Sequence, residues 1–289
     1  MNLEVFSRHR SLLFTVAYEM LGSAVDAEDM VQETWLRWER VDAADIQDPR
    51  AYLVRIVTRQ SLNRLRTRSR RREDYVGDWL PEPLLTSADV ADDVELAENV
   101  SMAVLTVLET LTPLERAVFV LREVFDIPHT EIAEALERSP AAIRQIAHRA
   151  REHVHARRPR IPVTGAEHAH AVDCFLTALR GGDVAGLLEV LAPDVVLVSD
   201  TGGLVPALQR PVSGATKVAR LLVRVADALP AAELEPLTLN GSAAIRIVLD
   251  NQTHTAVSLV VEGGRITHVY AMRNPNKLQR LDHETQLTR

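Results

Sequence analysis

Apolar residues recur at intervals of three and four through the first part of the chain, which is the spacing of one face of an α-helix. The pattern predicts a helix over residues 3–21 that ends at Gly22, a second helix directly after it, and a third over residues 48–72. Asp48 and Pro49 give the third helix a capping oxygen and a proline in its first turn. The chain therefore opens with a helical bundle.

A second helical group is predicted over residues 94–154. Residues 94–109 have a helical pattern, and residues 112–115 form a capping box with proline at the first helical position. A short helix and a further helix, capped by Ser139-Pro140, follow on either side of a tight turn at Glu137-Arg138. Helix, short helix, turn and helix is the helix-turn-helix pattern of DNA-binding proteins, although glycine often occupies that turn.

The pattern changes after residue 162 to alternating strands mixed with helices, which indicates an α+β domain with a curved sheet wrapped around helices. The predicted strands are 194–199, 243–249, 255–261 and 266–272, and the predicted helices are 167–179, 184–191 and 215–228. Such a cone often encloses a pocket. Its candidate polar residues are Asp200, Arg246, His254, His268 and Arg273. They are either a catalytic set or the outward-facing residues of alternating strands.

Composition narrows the class of protein. An apolar content of 46% in 289 residues supports substantial cores, no apolar run reaches the roughly 20 residues that span a bilayer, and the N-terminus lacks a signal peptide's apolar core. We therefore expect a cytoplasmic protein without membrane contact. Cys174 is the only cysteine, which excludes disulfides within the chain and cysteine-based zinc sites. No catalytic residue, metal or cofactor is predicted.

Charge is sorted along the chain. Residues 73–115 carry 11 acidic side chains and no Lys or Arg, whereas the segments on either side are mildly basic. Within this acidic connector, Tyr75, Trp79 and Leu80 are costly to leave in water, so we expect the segment to dock on another part of the molecule or on a partner. Disordered acidic spacing is the alternative.

Two basic surfaces are candidates for binding nucleic acid. Arg55, Arg59, Asn63 and Arg66 fall on one face of the third helix, where cations can track phosphates and an amide can contact a base edge. The helix-turn-helix presents a second set, Arg144, Gln145, His148 and Arg149. Because the chain has only two lysines, Lys217 and Lys277, an arginine run can also be a solvated helix end.

Residues 10–155 together resemble an extracytoplasmic-function (ECF) sigma factor of bacterial RNA polymerase. Residues 26–33 look like the segment that binds the polymerase clamp helices, which implies that Asp29, Gln32 and Glu33 contact polymerase. Residues 48–72 resemble the helix that opens the minus-ten element, and residues 112–154 the reader of the minus-thirty-five element. The family commonly has Asn at the position of Arg59 and Asp at the position of Asn63.

The remaining chain is similar to the subgroup of these sigma factors with a C-terminal SnoaL-like domain. The resemblance rests on the connector sequence Trp79-Leu80-Pro81-Glu82-Pro83, the segment Asp200-Thr201-Gly202-Gly203 and the terminal segment Asn274-Pro275-Asn276-Lys277-Leu278. It implies that the appended domain regulates the sigma domains in cis, with the cone holding the Trp79 segment. The implied regulatory residues are Trp79, Leu80, Pro81, Asp200, Gly202, Gly203, Asn274 and Pro275.

The expected architecture is multidomain, with two all-α sigma domains, a helical bundle and a helix-turn-helix, and an α+β SnoaL-like cone with a curved mixed sheet. The expected limits are 1–72 for the first sigma domain, 73–98 for the linker, 99–160 for the second sigma domain, 165–281 for the cone and 282–289 for the tail. The expected partners are promoter DNA and the clamp helices and flap of core polymerase.

Two other functions fit parts of the sequence. One is a SnoaL-like isomerase, cyclase or hydrolase fused to a DNA-binding region, and the other is a ligand-sensing repressor that never contacts polymerase. The repressor leaves the acidic helix start and the acidic connector without a role.

Overall fold

The computed structural model describes residues 2–42, 46–71, 75, 77–87, 94–157, 163–205 and 210–288. The chain divides into two compact units. The first comprises Met1–Asp74, Val104–Arg158 and Gln286–Arg289, and the second comprises Tyr75–Ala103 and Pro159–Thr285. Most of the acidic connector therefore belongs to the same unit as the C-terminal domain.

The secondary structure follows the order helices, then mixed helices and strands. The helices are α1 (Asn2–Leu21), α2 (Ala24–Trp38), α3 (Pro49–Arg71), α4 (Val94–Val100), α5 (Met102–Leu108), α6 (Pro113–Phe119), α7 (His129–Leu136), α8 (Pro140–Arg157), α9 (Gly165–Arg180), α10 (Val184–Val190), α11 (Ala215–Ala228) and α12 (Pro275–Leu278). The strands are β1 (Leu191–Asp200), β2 (Val212–Ser213), β3 (Glu233–Leu239), β4 (Ser242–Leu249), β5 (Gln252–Glu262) and β6 (Arg265–Met272).

Local sequence explains the boundaries of the first unit's opening helices. Gly22 ends α1 in the left-handed region, with φ of 63°, and the Ser23 hydroxyl accepts a hydrogen bond from the backbone of Asp26 to begin α2. The Asp48 carboxylate caps α3 by accepting from the Ala51 amide at 3.0 Å. None of the described helices has an apolar stretch long enough to cross a membrane.

The helix-turn-helix forms as predicted. Thr112 and Glu115 make the reciprocal capping box that starts α6, which continues into one π-helical turn over Val120–Val124. At the turn, Glu137 itself adopts the left-handed conformation that glycine usually supplies, with φ of 54°. The Ser139 hydroxyl then accepts from the Ala142 amide and begins α8.

The second unit contains one mixed sheet with strand order β2-β1-β6-β5-β4-β3 among the described residues. Strand β1 pairs parallel with β6, and the other neighbours pair antiparallel. One face packs against α9, α10 and α11 through an apolar cluster that includes Val195, Leu197 and Val257. Because successive side chains of a strand point to opposite faces, Val198, Ala256 and Val260 lie on the other face.

The opposite face is also covered. Its apolar cluster contains Leu80 from the connector, Met102 from α5, and Leu278 and Leu281 from the end of the chain. The connector thus lies on the face of the sheet away from α9–α11. The SnoaL-like unit holds the connector on this face, because side chains of α9–α11 fill the other side.

Two strands and one helix break were not predicted. Strand β3 contains Pro236, which it tolerates because β3 is at the sheet edge, where a proline removes no needed ladder bond. Strand β2 has only two residues. The helical stretch predicted over residues 94–109 forms two helices separated at Ser101.

Candidate functional site

The carboxylate of Asp200 is the centre of the connector's docking site. Asp200 ends β1, is completely buried and accepts four hydrogen bonds. Its Oδ1 accepts from the Tyr75 hydroxyl at 2.6 Å and from the Gly202 amide at 3.1 Å. Its Oδ2 accepts from the Leu80 amide at 2.8 Å and from the Lys277 ammonium at 2.6 Å. Two of the four donors, from Tyr75 and Leu80, belong to the connector.

Lys277 joins the connector to the end of the chain. Its Nζ donates to the Leu80 carbonyl at 2.5 Å as well as to Asp200, and it lies 4.0 Å from the centroid of the Trp79 ring. The Tyr75 ring centroid is 5.4 Å from the same nitrogen. An ammonium over aromatic faces is attracted by the ring quadrupole, and its desolvation here is offset by a carboxylate. Lys277 therefore holds both the backbone and the indole of the connector.

Gly202 and Asn274 complete this side of the docking site. The Asn274 amide donates to the Tyr75 hydroxyl at 3.0 Å, so that hydroxyl both donates to Asp200 and accepts from Asn274. Gly202 has a φ of 59°, and a Cβ at this position would overlap the Asn274 amide. The turn after β1 therefore needs glycine both for its backbone angle and for the close approach of Asn274.

The hairpin between β3 and β4 anchors the other end of the connector. The Asn240 side chain accepts from the Leu84 amide at 3.0 Å, and the Asn240 amide donates to the Leu84 carbonyl at 2.9 Å. Its side-chain nitrogen donates to the Val100 carbonyl at 2.9 Å. The connector from Leu80 to Leu84 is thus buried between two polar anchors.

The cationic face of α3 is in the first unit. Asn63 and Arg66 are exposed, and the Arg55 guanidinium lies 5.2 Å from the centroid of the Tyr52 ring. Arg59 is engaged within the unit, because its Nε donates to the Ala135 carbonyl at 2.6 Å. The side chains of residues 68–71, and all of Arg72, are outside the described residues.

The helix-turn-helix exposes its basic side chains on α8. Arg144, Gln145 and His148 all lie on the solvent side of that helix, and Arg149 is also exposed, with its Nε 3.9 Å from a Glu115 carboxylate oxygen. Ile143, Ile146 and Ala147 face the interior, so the spacing separates a packing face from a basic face.

The predicted polymerase-binding residues are together on the outer surface of α2. Asp29, Gln32 and Glu33 are all exposed, while Met30, Val31 and Thr34 on the other side of the helix are buried. Arg64 of α3 donates twice to the buried Asp26 carboxylate, which fixes α2 against α3. The helix that carries the acidic surface is therefore held against α3 by an ion pair.

Comparison with known proteins decides the family. Residues 5–71 match Sigma-70 region 2, and residues 101–154 match Sigma-70 region 4. The chain is 39% identical over 228 residues to the ECF RNA polymerase sigma factor SigJ of Mycobacterium tuberculosis, covering 77% of this chain and 72% of SigJ. The chain belongs to the ECF RNA polymerase sigma factors.

Two further comparisons cover nearly the whole sigma factor. It is 34% identical over 280 residues to a probable ECF RNA polymerase sigma factor, SigI of M. tuberculosis, covering 96% of this chain and 94% of SigI. It matches the crystal structure of M. tuberculosis SigJ with a TM-score of 0.77 and 34% identity, covering 95% of this chain and 97% of that one. The multidomain fold with a SnoaL-like C-terminal unit is confirmed.

The polar residues considered for a catalytic pocket make contacts within the second unit, and two of them meet, with Arg273 Nη2 3.4 Å from His254 Nε2. Arg246 and His268 alternate onto the sheet face opposite α9–α11, and Arg246 pairs with Glu235 at 2.7 Å. Burial lowers the pKa of both histidines, with Arg273 lowering that of His254 further. Asp200 makes its described hydrogen bonds to the connector, to Gly202 and to Lys277.

The sigma factor's docking site includes residues that sequence reasoning did not select. Lys277 and Asn240 hold the connector directly, whereas Gly203 and Pro275, which were selected, are exposed. One available signal was the Asn240-Gly241 pair, whose φ angles of 53° and 72° make the tight hairpin turn that this dipeptide favours. Lys277 is also one of only two lysines in the chain.

Proposed function

We propose that this sigma factor, which directs bacterial core RNA polymerase to promoters, is regulated in cis by the grip of its SnoaL-like unit on the connector. The observation that carries the proposal is the saturation of the buried Asp200 carboxylate by Tyr75, Leu80, Gly202 and Lys277. A buried carboxylate with a full set of donors fixes the segment that supplies them.

The connector cannot be held by the SnoaL-like unit and bound by polymerase at the same time. The resemblance of this chain to ECF sigma factors implies that its acidic connector lies in a basic channel of polymerase, which the RNA later needs. Leu80, Pro81 and Glu82 are buried in the second unit, so the same residues cannot lie in that channel until they leave the sheet. The held connector is therefore a resting state, and release favours initiation.

The binding surfaces follow from exposure and charge. We assign Asp29, Gln32 and Glu33 to polymerase, and two basic surfaces to promoter DNA. The DNA-binding residues are Arg55, Arg59, Asn63 and Arg66 on α3, and Arg144, Gln145, His148 and Arg149 on α8. Cations track phosphates, while Arg and Gln can pair with guanine and adenine in the major groove.

We propose that the SnoaL-like unit binds rather than catalyses, and that the protein works in the cytoplasm with promoter DNA. A general base needs a lone pair directed at a substrate, and Asp200 directs its oxygens at the connector, Gly202 and Lys277. Trp79, Leu80, Pro81, Asp200, Gly202 and Asn274 thereby have a regulatory role, with Tyr75, Lys277 and Asn240 added to them.

Transcription in vitro tests this function. The full-length protein is mixed with bacterial core polymerase and genomic DNA, and the 5′ ends of the transcripts are sequenced. We expect starts at a shared promoter sequence that are absent with core polymerase alone. Random starts with both wild-type protein and Asp200→Asn would contradict the sigma assignment.

Replacement of Arg55, Arg59 and Arg66 by Ala should reduce promoter melting about tenfold or more, because three phosphate-tracking cations are lost. Melting is followed by permanganate reactivity of unpaired thymines, and polymerase binding by fluorescence anisotropy. The matched control is Arg8→Ala, an exposed arginine on α1 with a side-chain exposure of 71%. Equal loss of melting and of polymerase binding would refute the assignment of this face to DNA.

A further inference from the structure

A pocket of about 400 Å³ lies in the second unit beside β3, the edge strand of the sheet. Its floor contains Leu234 of β3 and Ile247 of β4, which are paired across the two strands and pack on the side of α9–α11. Its walls come from the C-terminal ends of α9 and α11 and from the turn that joins α11 to β3. The connector covers the other face of the sheet, so this pocket is separate from the connector's docking site.

The apolar face of α11 is only partly covered by the rest of the second unit. Val218, in the first half of the helix, is completely buried. Leu222, Ala226 and Leu229 continue the same face at helical spacing, but they line the pocket and are only partly buried. Val225 lines the pocket beside them and is 43% exposed. A concave surface of this size with apolar walls in contact with water favours an apolar small molecule.

Arg180 adds a cation to this apolar pocket. It is the last residue of α9, it lines the pocket, and its Nη2 donates to the Leu234 carbonyl at 2.6 Å, which holds the guanidinium there. A guanidinium has five N–H donors, so others remain for a carboxylate. Asp227 also lines the pocket, but it is exposed, and among the described residues no ion pair joins it to Arg180. The side chains of the pocket therefore suit a ligand with an apolar body and one anionic end.

We propose that this pocket binds an apolar carboxylic acid, with the hydrocarbon among Leu222, Ala226 and Ile247 and the carboxylate on Arg180. A small molecule fits better than a partner helix, because walls from several elements surround a concave space, whereas a helix needs a long open groove. The other candidate occupant is a second copy of the chain, since exposed apolar side chains such as Val225 can also form an interface. Binding of the acid does not depend on the sigma assignment, because it is measured on the free protein.

Isothermal titration calorimetry of the full chain with octanoate tests the ligand class. The control ligand is 1-octanol, which has the same chain without the carboxylate. We expect saturable binding of one octanoate per chain and about tenfold weaker binding of 1-octanol, because the charge-assisted bonds to Arg180 are lost. Arg180→Met should weaken octanoate binding about tenfold and leave 1-octanol binding unchanged. Absence of saturable octanoate binding, or equal affinity for the two ligands, would overturn the inference.

A pair of tryptophan variants tests the location of the site. Ala226→Trp fills the pocket, and Ala228→Trp places the same side chain at an exposed position of the same helix. We expect Ala226→Trp to abolish octanoate binding and Ala228→Trp to leave it unchanged, with circular dichroism as the check on folding. Arg180→Met, at an exposed position, tests the same site if Ala226→Trp does not fold. Equal loss in both tryptophan variants would overturn the inference.

Sedimentation velocity separates the ligand from the other occupant. We expect the same sedimentation coefficient for the wild-type protein and Ala226→Trp, with and without octanoate. A wild-type dimer that Ala226→Trp dissociates and that octanoate leaves intact would show that a second copy of the chain covers the pocket, and would overturn the inference.

Discussion

The two units each bury a carboxyl group completely, but the two carboxyl groups differ in their hydrogen bonds. In the second unit, Asp200 accepts hydrogen bonds from four donors, including the ammonium of Lys277. In the first unit, neither carboxyl oxygen of Glu19 has a hydrogen-bond partner among the described residues. Burial raises the pKa of Glu19 to about 8, and the nearby Arg116 guanidinium only partly opposes the rise.

The difference shows what each group does. Arg116, itself 2% exposed, donates to the Glu19 backbone carbonyl at 3.0 Å and to the Glu109 carboxylate at 2.6 Å, so it leaves the Glu19 side chain without a direct bond. Glu19 therefore favours its protonated form near neutral pH and behaves as a core residue. Asp200 instead uses all its bonding capacity to hold an irregular segment on a sheet. The number of hydrogen-bond donors, rather than the degree of burial, distinguishes the carboxyl group that holds the connector.

The largest effect is expected from Asp200→Asn. The uncharged amide of Asn cannot form an ion pair with the Lys277 ammonium, and breaking a buried ion pair costs about 3–5 kcal/mol. The connector should detach, so chymotrypsin should cut near Tyr75 and Trp79 much faster, and promoter-specific transcription should rise. The control is Asp282→Asn, which removes a carboxylate that is 75% exposed in the same unit. Equal proteolysis of the two variants would contradict the role of Asp200.

Glu19→Gln should change the pH dependence of the first unit by a smaller amount. Because folding raises the pKa of Glu19 from 4.5 to about 8, the native state holds a proton that the unfolded state releases. This contribution to stability is complete below pH 4.5 and is lost as pH rises to about 8. As pH rises through this range, the free energy of unfolding of the wild-type protein should therefore fall by a few kcal/mol relative to that of Glu19→Gln.

Urea unfolding at pH 5, 7 and 8.5 measures that difference. A Trp79→Phe background leaves Trp35 and Trp38, both in the first unit, as the fluorescent reporters. Parallel pH profiles for wild type and Glu19→Gln would show that Glu19 is not protonated in the native state.

The smallest effect is expected from Lys277→Arg. The charge is kept, but a planar guanidinium cannot direct its donors at Asp200 and Leu80 from the same compact position above the Trp79 ring. We expect a loss of about 1 kcal/mol in connector docking, read as a modest rise in chymotrypsin cleavage. Lys217→Arg, at the only other lysine of the chain, should leave cleavage unchanged. Cleavage of Lys277→Arg as fast as that of Asp200→Asn would mean that the ammonium geometry, rather than the charge, is decisive.

Local signals in the sequence predicted the features that local chemistry determines. Capping residues such as Asp48, Thr112 and Ser139 placed the helix starts, and the cost of exposing Trp79 and Leu80 correctly indicated that the connector docks. The resemblance to sigma factors pointed to Asp200. Strand β3 was not predicted, although the Asn240-Gly241 turn that follows it favours a hairpin.

Features that depend on distant pairing could not be obtained from local patterns. Lys277 is 77 positions from Asp200 and 197 from Leu80, and no periodicity links them. The connector docks on the sheet face that α9–α11 leave uncovered. Which residues of β1 and β5 point to that face depends on strand register, and a single sequence does not reveal the register. The capture of Arg59 by α7 likewise joins positions 75 and 76 residues apart.

Hydrogen exchange of the Leu80 amide most directly tests whether the second unit holds the connector. In the free wild-type protein this amide donates to a completely buried carboxylate, so the account predicts exchange at least a hundredfold slower than in an unstructured peptide. Protection should be lost in Asp200→Asn and kept in Asp282→Asn. Exchange at the peptide rate in the wild-type protein would contradict the claim that the SnoaL-like unit grips the connector.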